Sequence, residues 1–324
     1  MNRPVVFVTR QLPDVALQIL SKHAEVRVHH GTLPPTRQEL LAGASGCSGI
    51  LSLLSDRIDA EVMDAAGTKL RVISNFAVGY NNIDIDAAKL RKIQVGNTPD
   101  VLTQATADMA VALVLAVARR VREGWQSVES GNWKTWEPLG WLGVELEGRT
   151  LGIVGMGRIG AAVARKLRGG WGMQVLYTAR TPKPTVDCEL QSRHVSLQQL
   201  VESSDVISVH VPLSEQTRHL IGKPEFDSMK SEAILVNTAR GEVIDQAALE
   251  AVLSEGKIFG AGLDVCTPEP LPPESGLLKL NNCLVVPHIG SATQTARSSM
   301  ARRAAENIVA GLSGQQIPFS VGIS

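Results

Sequence analysis

Three residues of complementary chemistry, Arg240, Glu269 and His288, each stand shortly after an apolar run: Ala233 to Val236, Gly260 to Leu263 and Cys283 to Val286. An arginine presents a fork of donors that binds a carboxylate in bidentate fashion. A histidine passes a proton near neutral pH, and a carboxylate orients that histidine and raises its pKa. If a sheet brings the three run ends side by side, the set suits reduction of a 2-oxo acid by a nicotinamide. Singly, Arg240 or Glu269 reads as a solvated or ion-paired residue and His288 as a satisfied structural histidine. Their shared placement is what argues for chemistry.

A dinucleotide is expected from a different stretch. The run Thr150-Leu151-Gly152-Ile153-Val154 feeds directly into Gly155-Met156-Gly157-Arg158-Ile159-Gly160, which reads as strand, phosphate turn and helix. Gly155 allows the tight turn, Gly157 lets the backbone approach a pyrophosphate, and Gly160 lets the helix sit close to the strand. Arg158 adds positive charge at the helix start. Ala161 to Leu167 is good helix material, and Met173 to Tyr177 supplies a second strand where the ribose is read. A tight turn without ligand is the competing reading, and the βα context argues against it.

The elements around these residues alternate. Val5 to Thr9, Val26 to Val28, Gly49 to Leu54, Arg71 to Ser74 and Ile93 to Val95 read as strands, with helical stretches between them. Asp14 is a candidate helix cap, and Thr36 with Glu39 forms a capping box. Such alternation predicts parallel sheets with helices on both faces. Asn75 to Asn82 follows a strand at the carboxyl end, where open α/β sheets bind ligands, though an ordinary loop is equally consistent. Pro99 to Ser130 reads as one long helical segment, with Met109 to Ala118 buried all round. Gly131 to Gly143 holds three of the five tryptophans, Trp133, Trp136 and Trp141, as local core or as an anchor against a partner chain. After Tyr177 the alternation resumes, and Ala292 to Leu312 returns the chain to the first domain.

Composition narrows the classes. With 324 residues the chain exceeds the size of a single core, so two domains are expected. Lys plus Arg equals Asp plus Glu at 32 each, and no basic run is interleaved with aromatics, so neither nucleic acid nor an anionic membrane is expected as partner. The four cysteines, Cys47, Cys188, Cys266 and Cys283, have neither disulfide-framework nor zinc spacing. No metal is expected. The stretch from Met1 to Arg10 has an apolar run too short for a signal peptide, and no stretch nears the roughly 20 apolar residues that span a bilayer. A cytoplasmic location is expected.

A family resemblance joins these pieces. Val78-Gly79-Tyr80-Asn81-Asn82-Ile83-Asp84, Gly152 to Gly160, Asn237-Thr238-Ala239-Arg240-Gly241, Gly262 to Val265 with Glu269-Pro270, and Pro287 to Ala292 resemble the signatures of the D-isomer-specific 2-hydroxyacid dehydrogenases. The likeness covers essentially the whole chain. Leu53 to Asp56, Thr98 to Thr103, Trp133 to Leu139 and Leu176 to Arg180 most resemble the glyoxylate/hydroxypyruvate reductases within that family.

The resemblance implies an α/β protein of two Rossmann-like doubly wound parallel-sheet domains. A dinucleotide-binding domain over 100–290 is inserted in a flavodoxin-like substrate domain made of 1–99 plus 291–324. It implies that Arg240 binds the substrate carboxylate and keto oxygen, that His288 protonates that oxygen, and that Glu269 keeps His288 charged. Leu54, Val78, Gly79 and Trp136 are the implied substrate contacts, Val78 and Gly79 through backbone N–H groups and Trp136 by reaching a partner's site. Implied cofactor contacts are Thr106 and Asp264 at the nicotinamide, the glycine turn with Arg158 and Ile159, and Val211, Pro212 and Thr217. Thr238, Ala239 and Gly290 complete them. A homodimer is implied, with the long helix and following loop embracing the partner. The chain departs from relatives at Cys266, often aromatic, and at Asn81, often Asp.

Ala179 bears on the cofactor. NAD-using relatives place an acidic residue there for the ribose 2′-hydroxyl; Ala179 removes the repulsion of a 2′-phosphate, and Arg180, Thr181 and Lys183 can bind one. NADPH is therefore the expected preference, with NADH possible. A solvated loop cation is the plainer reading of Arg180. The expected activity is NADPH-dependent reduction of glyoxylate to glycolate and of hydroxypyruvate to D-glycerate. The alternatives are a 2-ketogluconate reductase or another D-2-hydroxyacid dehydrogenase, and, outside catalysis, an NAD(H)-sensing corepressor-like binding protein.

Overall fold

A computed structural model describes residues 3–322; Met1 and Asn2, at the start of the N-terminal stretch, and the last two residues lie outside it. The chain divides into two compact units, Met1–Leu102 with Ala292–Ser324, and Thr103–Ser291.

The first unit runs β1 (Val5–Val8), α1 (Asp14–His23), β2 (Glu25–Val28), α2 (Arg37–Ala44), β3 (Gly49–Ser52), α3 (Ala60–Ala66), β4 (Val72–Asn75), α4 (Ile85–Leu90) and β5 (Gln94–Gly96). Its five strands are all parallel in the order β2-β1-β3-β4-β5, the doubly wound order of flavodoxin-like sheets. Local chemistry starts the helices. Thr36 and Glu39 close the expected capping box on α2, and Asp59 and Asp84 cap α3 and α4 by accepting from Val62 and Ala87 N–H. Asp14 does not cap. It is the first helical residue after Pro13, where its charge still favours the helix dipole.

The second unit follows as α5 (Thr103–Ala118), α6 (Val121–Glu129), β6 (Thr150–Val154), α7 (Arg158–Trp171), β7 (Gln174–Thr178), α8 (Pro184–Leu190), β8 (Arg193–His194), α9 (Leu197–Ser203), β9 (Val206–Val209), α10 (Lys223–Ser228), β10 (Ile234–Asn237), α11 (Gln246–Ser254), β11 (Gly260–Leu263), α12 (Gly276–Lys279) and β12 (Cys283–Val285). The chain then rejoins the first unit as α13 (Gln294–Leu312), which packs on α1, β3 and β4. The seven strands are parallel in the order β12-β11-β10-β9-β6-β7-β8. Strand order reverses between β6 and β9, which opens the crevice where such sheets take ligands. Both faces are covered. Leu151 and Ile153 of β6 join one core and Val154 the other, as alternation along a strand requires, so the strands read as unbroken apolar runs.

The single long helix expected from Pro99 to Ser130 is two helices. The break falls at Arg120, whose φ of 51° is left-handed and cannot continue an α-helix. Nor is α5 buried all round. Thr106, Ala107, Ala110, Leu113, Val114, Val117 and Ala118 form a buried stripe at helical spacing against α7, β10 and β11, while Ala112 is exposed. In α6 no residue is buried, yet Arg122 is fixed: its guanidinium donates to the carbonyls of Leu278 (2.6 Å), Leu280 (2.8 Å) and Cys283. Among the described residues no helix is long and apolar enough to cross a membrane, and no group of three His, Cys, Asp or Glu could hold a metal ion.

Candidate active site

The sheet of the second unit brings β10, β11 and β12 together as neighbours, with Asn237 paired to Leu263 and Leu263 to Val285. Their carboxyl ends therefore lie side by side, and Arg240, Glu269 and His288 follow them. His288 Nδ1 stands 2.8 Å from Glu269 Oε2, while Glu269 Oε1 accepts from Cys266 N–H at 3.1 Å. Burial would raise the Glu269 carboxyl, but the His288 hydrogen bond and charge, the Cys266 amide and Arg240 together hold it below the usual carboxylate range. Burial pushes the Arg240 guanidinium down from its ordinary value, against the opposing pull of Glu269 and Glu242. An arginine starting so high remains protonated.

Two residues shape these positions in ways that motif reading missed. Asn237 ends β10 and folds the next residues back, its Oδ1 accepting from Ala239 N–H (2.9 Å) and its Nδ2 donating to the Arg240 carbonyl (2.8 Å). Asparagine closing a turn onto its own backbone is the signal that could have found it. Asp264, 2% exposed, accepts from Ile289 N–H at 2.6 Å and Gly290 N–H at 2.8 Å. Those bonds hold the turn that carries His288, whose φ of 52° is left-handed. A side chain at position 290 would meet Asp264 Oδ2 at 2.7 Å and Thr106 Cγ2 at 3.3 Å, which places Thr106 beside the same turn.

The glycine turn lies at the end of β6. Gly155 has φ 102° and a Cβ there would meet Val211 Cγ1 and N at 2.8 Å, so the turn packs directly on the segment leaving β9. At Gly160 a Cβ would stand 2.3 Å from the Gly155 carbonyl, so α7 is pressed against the turn. A Cβ at Gly157 would point into open space, and no side chain caps α7, whose first residues are Arg158 and Ile159. Beyond β7, Ala179 is half-buried, its carbonyl bonded to His194 Nε2 (2.9 Å); Arg180 and Thr181 are exposed, and Lys183 Nζ reaches Thr181 Oγ1 at 3.4 Å. Thr217 Oγ1 donates to the Pro212 carbonyl (2.7 Å), closing the loop after β9. His210 was not anticipated. Its ring lies between Ser208 Oγ (2.8 Å) and Thr238 Oγ1 (3.4 Å), and burial pushes it down to about 3. Ser208 near the end of β9 and His210 just past it, two positions apart, were the available hint.

The remaining residues lie in other segments of the chain. Trp136 is 79% exposed, in a stretch with Trp133, Leu139, Trp141 and Leu142 also exposed. Leu54, Val78 and Gly79 lie in the first unit, in loops after β3 and β4. There the carbonyls of Val78 and Gly79 accept from Asn97 Nδ2 (2.7 Å) and Asn75 Nδ2 (2.8 Å). Among the described residues neither Val78 N–H nor Gly79 N–H has an acceptor.

Residues 111–290 match the family model for the NAD binding domain of D-isomer specific 2-hydroxyacid dehydrogenases. The chain belongs to the D-isomer specific 2-hydroxyacid dehydrogenase family. It is 48% identical over 317 residues to the glyoxylate reductase of Korarchaeum cryptofilum, covering 98% of this chain and 95% of that one. To the glyoxylate reductase/hydroxypyruvate reductase of Mus musculus it is 45% identical over 315 residues, covering 97% and 96%. Among solved structures, the NADPH-dependent glyoxylate/hydroxypyruvate reductase of Sinorhizobium meliloti, in complex with NADP and malonate, superposes with a TM-score of 0.84 at 31% identity, covering 99% and 97%. This family membership makes the protein an oxidoreductase, and its nucleotide domain implies a dinucleotide. The residues fit one: an uncapped helix start, a turn too tight for side chains at Gly155 and Gly160, and open space at Gly157.

Proposed function

We propose that the protein reduces small 2-oxo acids, glyoxylate to glycolate and hydroxypyruvate to D-glycerate, with NADPH as the preferred reductant. The hydrogen bond between Glu269 and His288, with Arg240 just past the end of the neighbouring strand β10, carries this reading. A bound nicotinamide supplies the hydride. Arg240 pairs its fork with the substrate carboxylate and polarises the keto oxygen. With Nδ1 engaged by Glu269, His288 keeps Nε2 as the atom that gives a proton to the oxygen becoming a hydroxyl. Glu269, held ionised, stabilises the imidazolium before transfer. In the first unit, the Val78 and Gly79 amides suit a carboxylate. The similarity to glyoxylate and hydroxypyruvate reductases supports this substrate class.

The preference for NADPH rests on Ala179, which puts no acidic group after β7, and on the exposed Arg180 and Thr181 with Lys183 beside them. The NADPH dependence of the Sinorhizobium reductase agrees with it. The proposal includes a homodimer, supported by the outward apolar surface of α6 and the next loop: Val121, Trp125, Val128, Trp133, Trp136 and Leu139 are each more than half exposed.

Steady-state oxidation of NADPH and of NADH, each with glyoxylate, hydroxypyruvate and 2-ketogluconate in parallel, tests the reading. Turnover of the first two acids, faster with NADPH, is expected; no turnover on any acid defeats it. Sedimentation at micromolar concentration is expected to show a dimer, and a monomer there refutes that part.

A further inference from the structure

The loops that carry Leu54 and the Val78–Gly79 amides leave neighbouring strands, and one side-chain network ties them. Ser52 and Asn75, the last residues of β3 and β4, are register partners, both fully buried. Ser52 Oγ donates to Asn75 Oδ1 at 3.1 Å. Asn75 Nδ2 spends its protons on the Gly79 carbonyl (2.8 Å) and on Asn82 Oδ1 (2.9 Å). Asn82 Nδ2 then donates to the carbonyls of Leu53 (2.9 Å) and Asp56 (3.0 Å), on both sides of Leu54. Its own carbonyl accepts from Ile58 N–H at 2.9 Å.

Each partner in this chain is therefore satisfied, the condition under which a buried polar network rigidifies what it links. No apolar or acidic residue at position 82 can replace it, because the Asp56 carbonyl would lose its Asn82 donor, the Leu53 carbonyl would keep only the Asp56 N–H at 3.1 Å, and Asn75 needs an acceptor. We infer that Asn82, acting through Asn75, is a positioning residue that locks the Leu54 loop to the Val78–Gly79 amides, so that binding of the 2-oxo acid depends on both loops moving as one. The inference rests on the proposed substrate reading for its kinetic consequence, but not for the coupling itself.

Asn82→Ala and Asn82→Ser test it, with three readouts on the full-length protein. KM for glyoxylate at saturating NADPH is expected to rise about tenfold or more in Asn82→Ala and less in Asn82→Ser, whose hydroxyl can serve one carbonyl. The NADPH dissociation constant, read by fluorescence titration, is expected to stay at the wild-type value, since the proposed cofactor contacts lie in the second unit. Amide exchange over residues 53–58 and 76–82 is expected to accelerate together. An unchanged KM in folded variant, or faster exchange in only one segment, overturns the inference. If the wild-type protein reduces no 2-oxo acid, the functional reading falls and the exchange result alone decides the coupling. If Asn82→Ala does not fold, Asn82→Ser decides both.

Discussion

His288 Nδ1 and Glu269 Oε2 lie 2.8 Å apart although 19 positions separate them in sequence, because β11 and β12 are neighbours in the sheet. Replacing His288 with Gln keeps a polar side chain but removes the proton, and kcat/KM for glyoxylate is expected to fall about 10² to 10⁴-fold. A fall of only a few-fold would remove His288 from the proposed chemistry. Glu269→Gln keeps an acceptor and loses the charge, so its loss is expected to be smaller and concentrated in kcat.

For cofactor choice, Arg180→Ala is expected to weaken NADPH much more than NADH, and Ala179→Asp to reverse the preference by placing an acidic group where the ribose is read. Dissociation constants for both dinucleotides measure this. Equal losses with the two cofactors would refute the assignment.

Gly290→Ala is a sharper test of the turn than any polar change. Its Cβ would sit 2.7 Å from Asp264 Oδ2, so the carboxylate must release an amide or the turn must shift. Breaking a hydrogen bond to a buried charged group is expected to cost about 1.5 to 3 kcal/mol, read as a lower urea midpoint with an unchanged slope. Wild-type stability would show that the turn relaxes freely.

His210 gives a pH signature. In the folded protein its ring is pushed down to about 3, whereas an unfolded histidine titrates near about 6.5. Between those values the unfolded state binds the extra proton, so stability falls as pH falls from about 6.5 toward about 3. His210→Gln, which can still bond a hydroxyl, is expected to show a flatter decline of urea midpoint between about pH 7 and 5. Parallel curves for the two proteins would contradict the burial argument.

The thiols should separate by burial. Cys283 is pushed up to about 12, and Cys47 and Cys266 to about 11, each mainly by desolvation, whereas Cys188 is exposed. Since the thiolate is the nucleophile, iodoacetamide at neutral pH is expected to label Cys188 alone in the native protein and all four cysteines after denaturation. Native labelling of Cys266, read by peptide mass, would contradict the shielding of its thiol from water.

What the sequence made legible was periodic or chemically typed. Strands such as β6 and β10 announce themselves as apolar runs buried on both faces, and the Thr36 and Glu39 box starts α2 where its spacing requires. The positions of Arg240, Glu269 and His288 at three strand ends were readable, but their adjacency depends on sheet order, which no local pattern encodes. The helix break at Arg120 left no Gly or Pro to mark it, because there a left-handed arginine does the work of a breaker. The short elements α8, β8 and α12 were missed for a related reason: α8 and α12 are seven and four residues long with one buried residue each, and β8 is a two-residue edge strand, so no apolar period builds up. Asp264 was legible as a polar strand end, and its grip on Ile289 and Gly290 was not, since that contact spans two strands.

The hold of Arg122 on the carbonyls of Leu278, Leu280 and Cys283 explains how α6 stays attached without sinking any residue into a core. Most surface helices dock by burying their greasy side. This one is moored through Arg122 instead, which leaves Val121, Trp125 and Val128 facing outward.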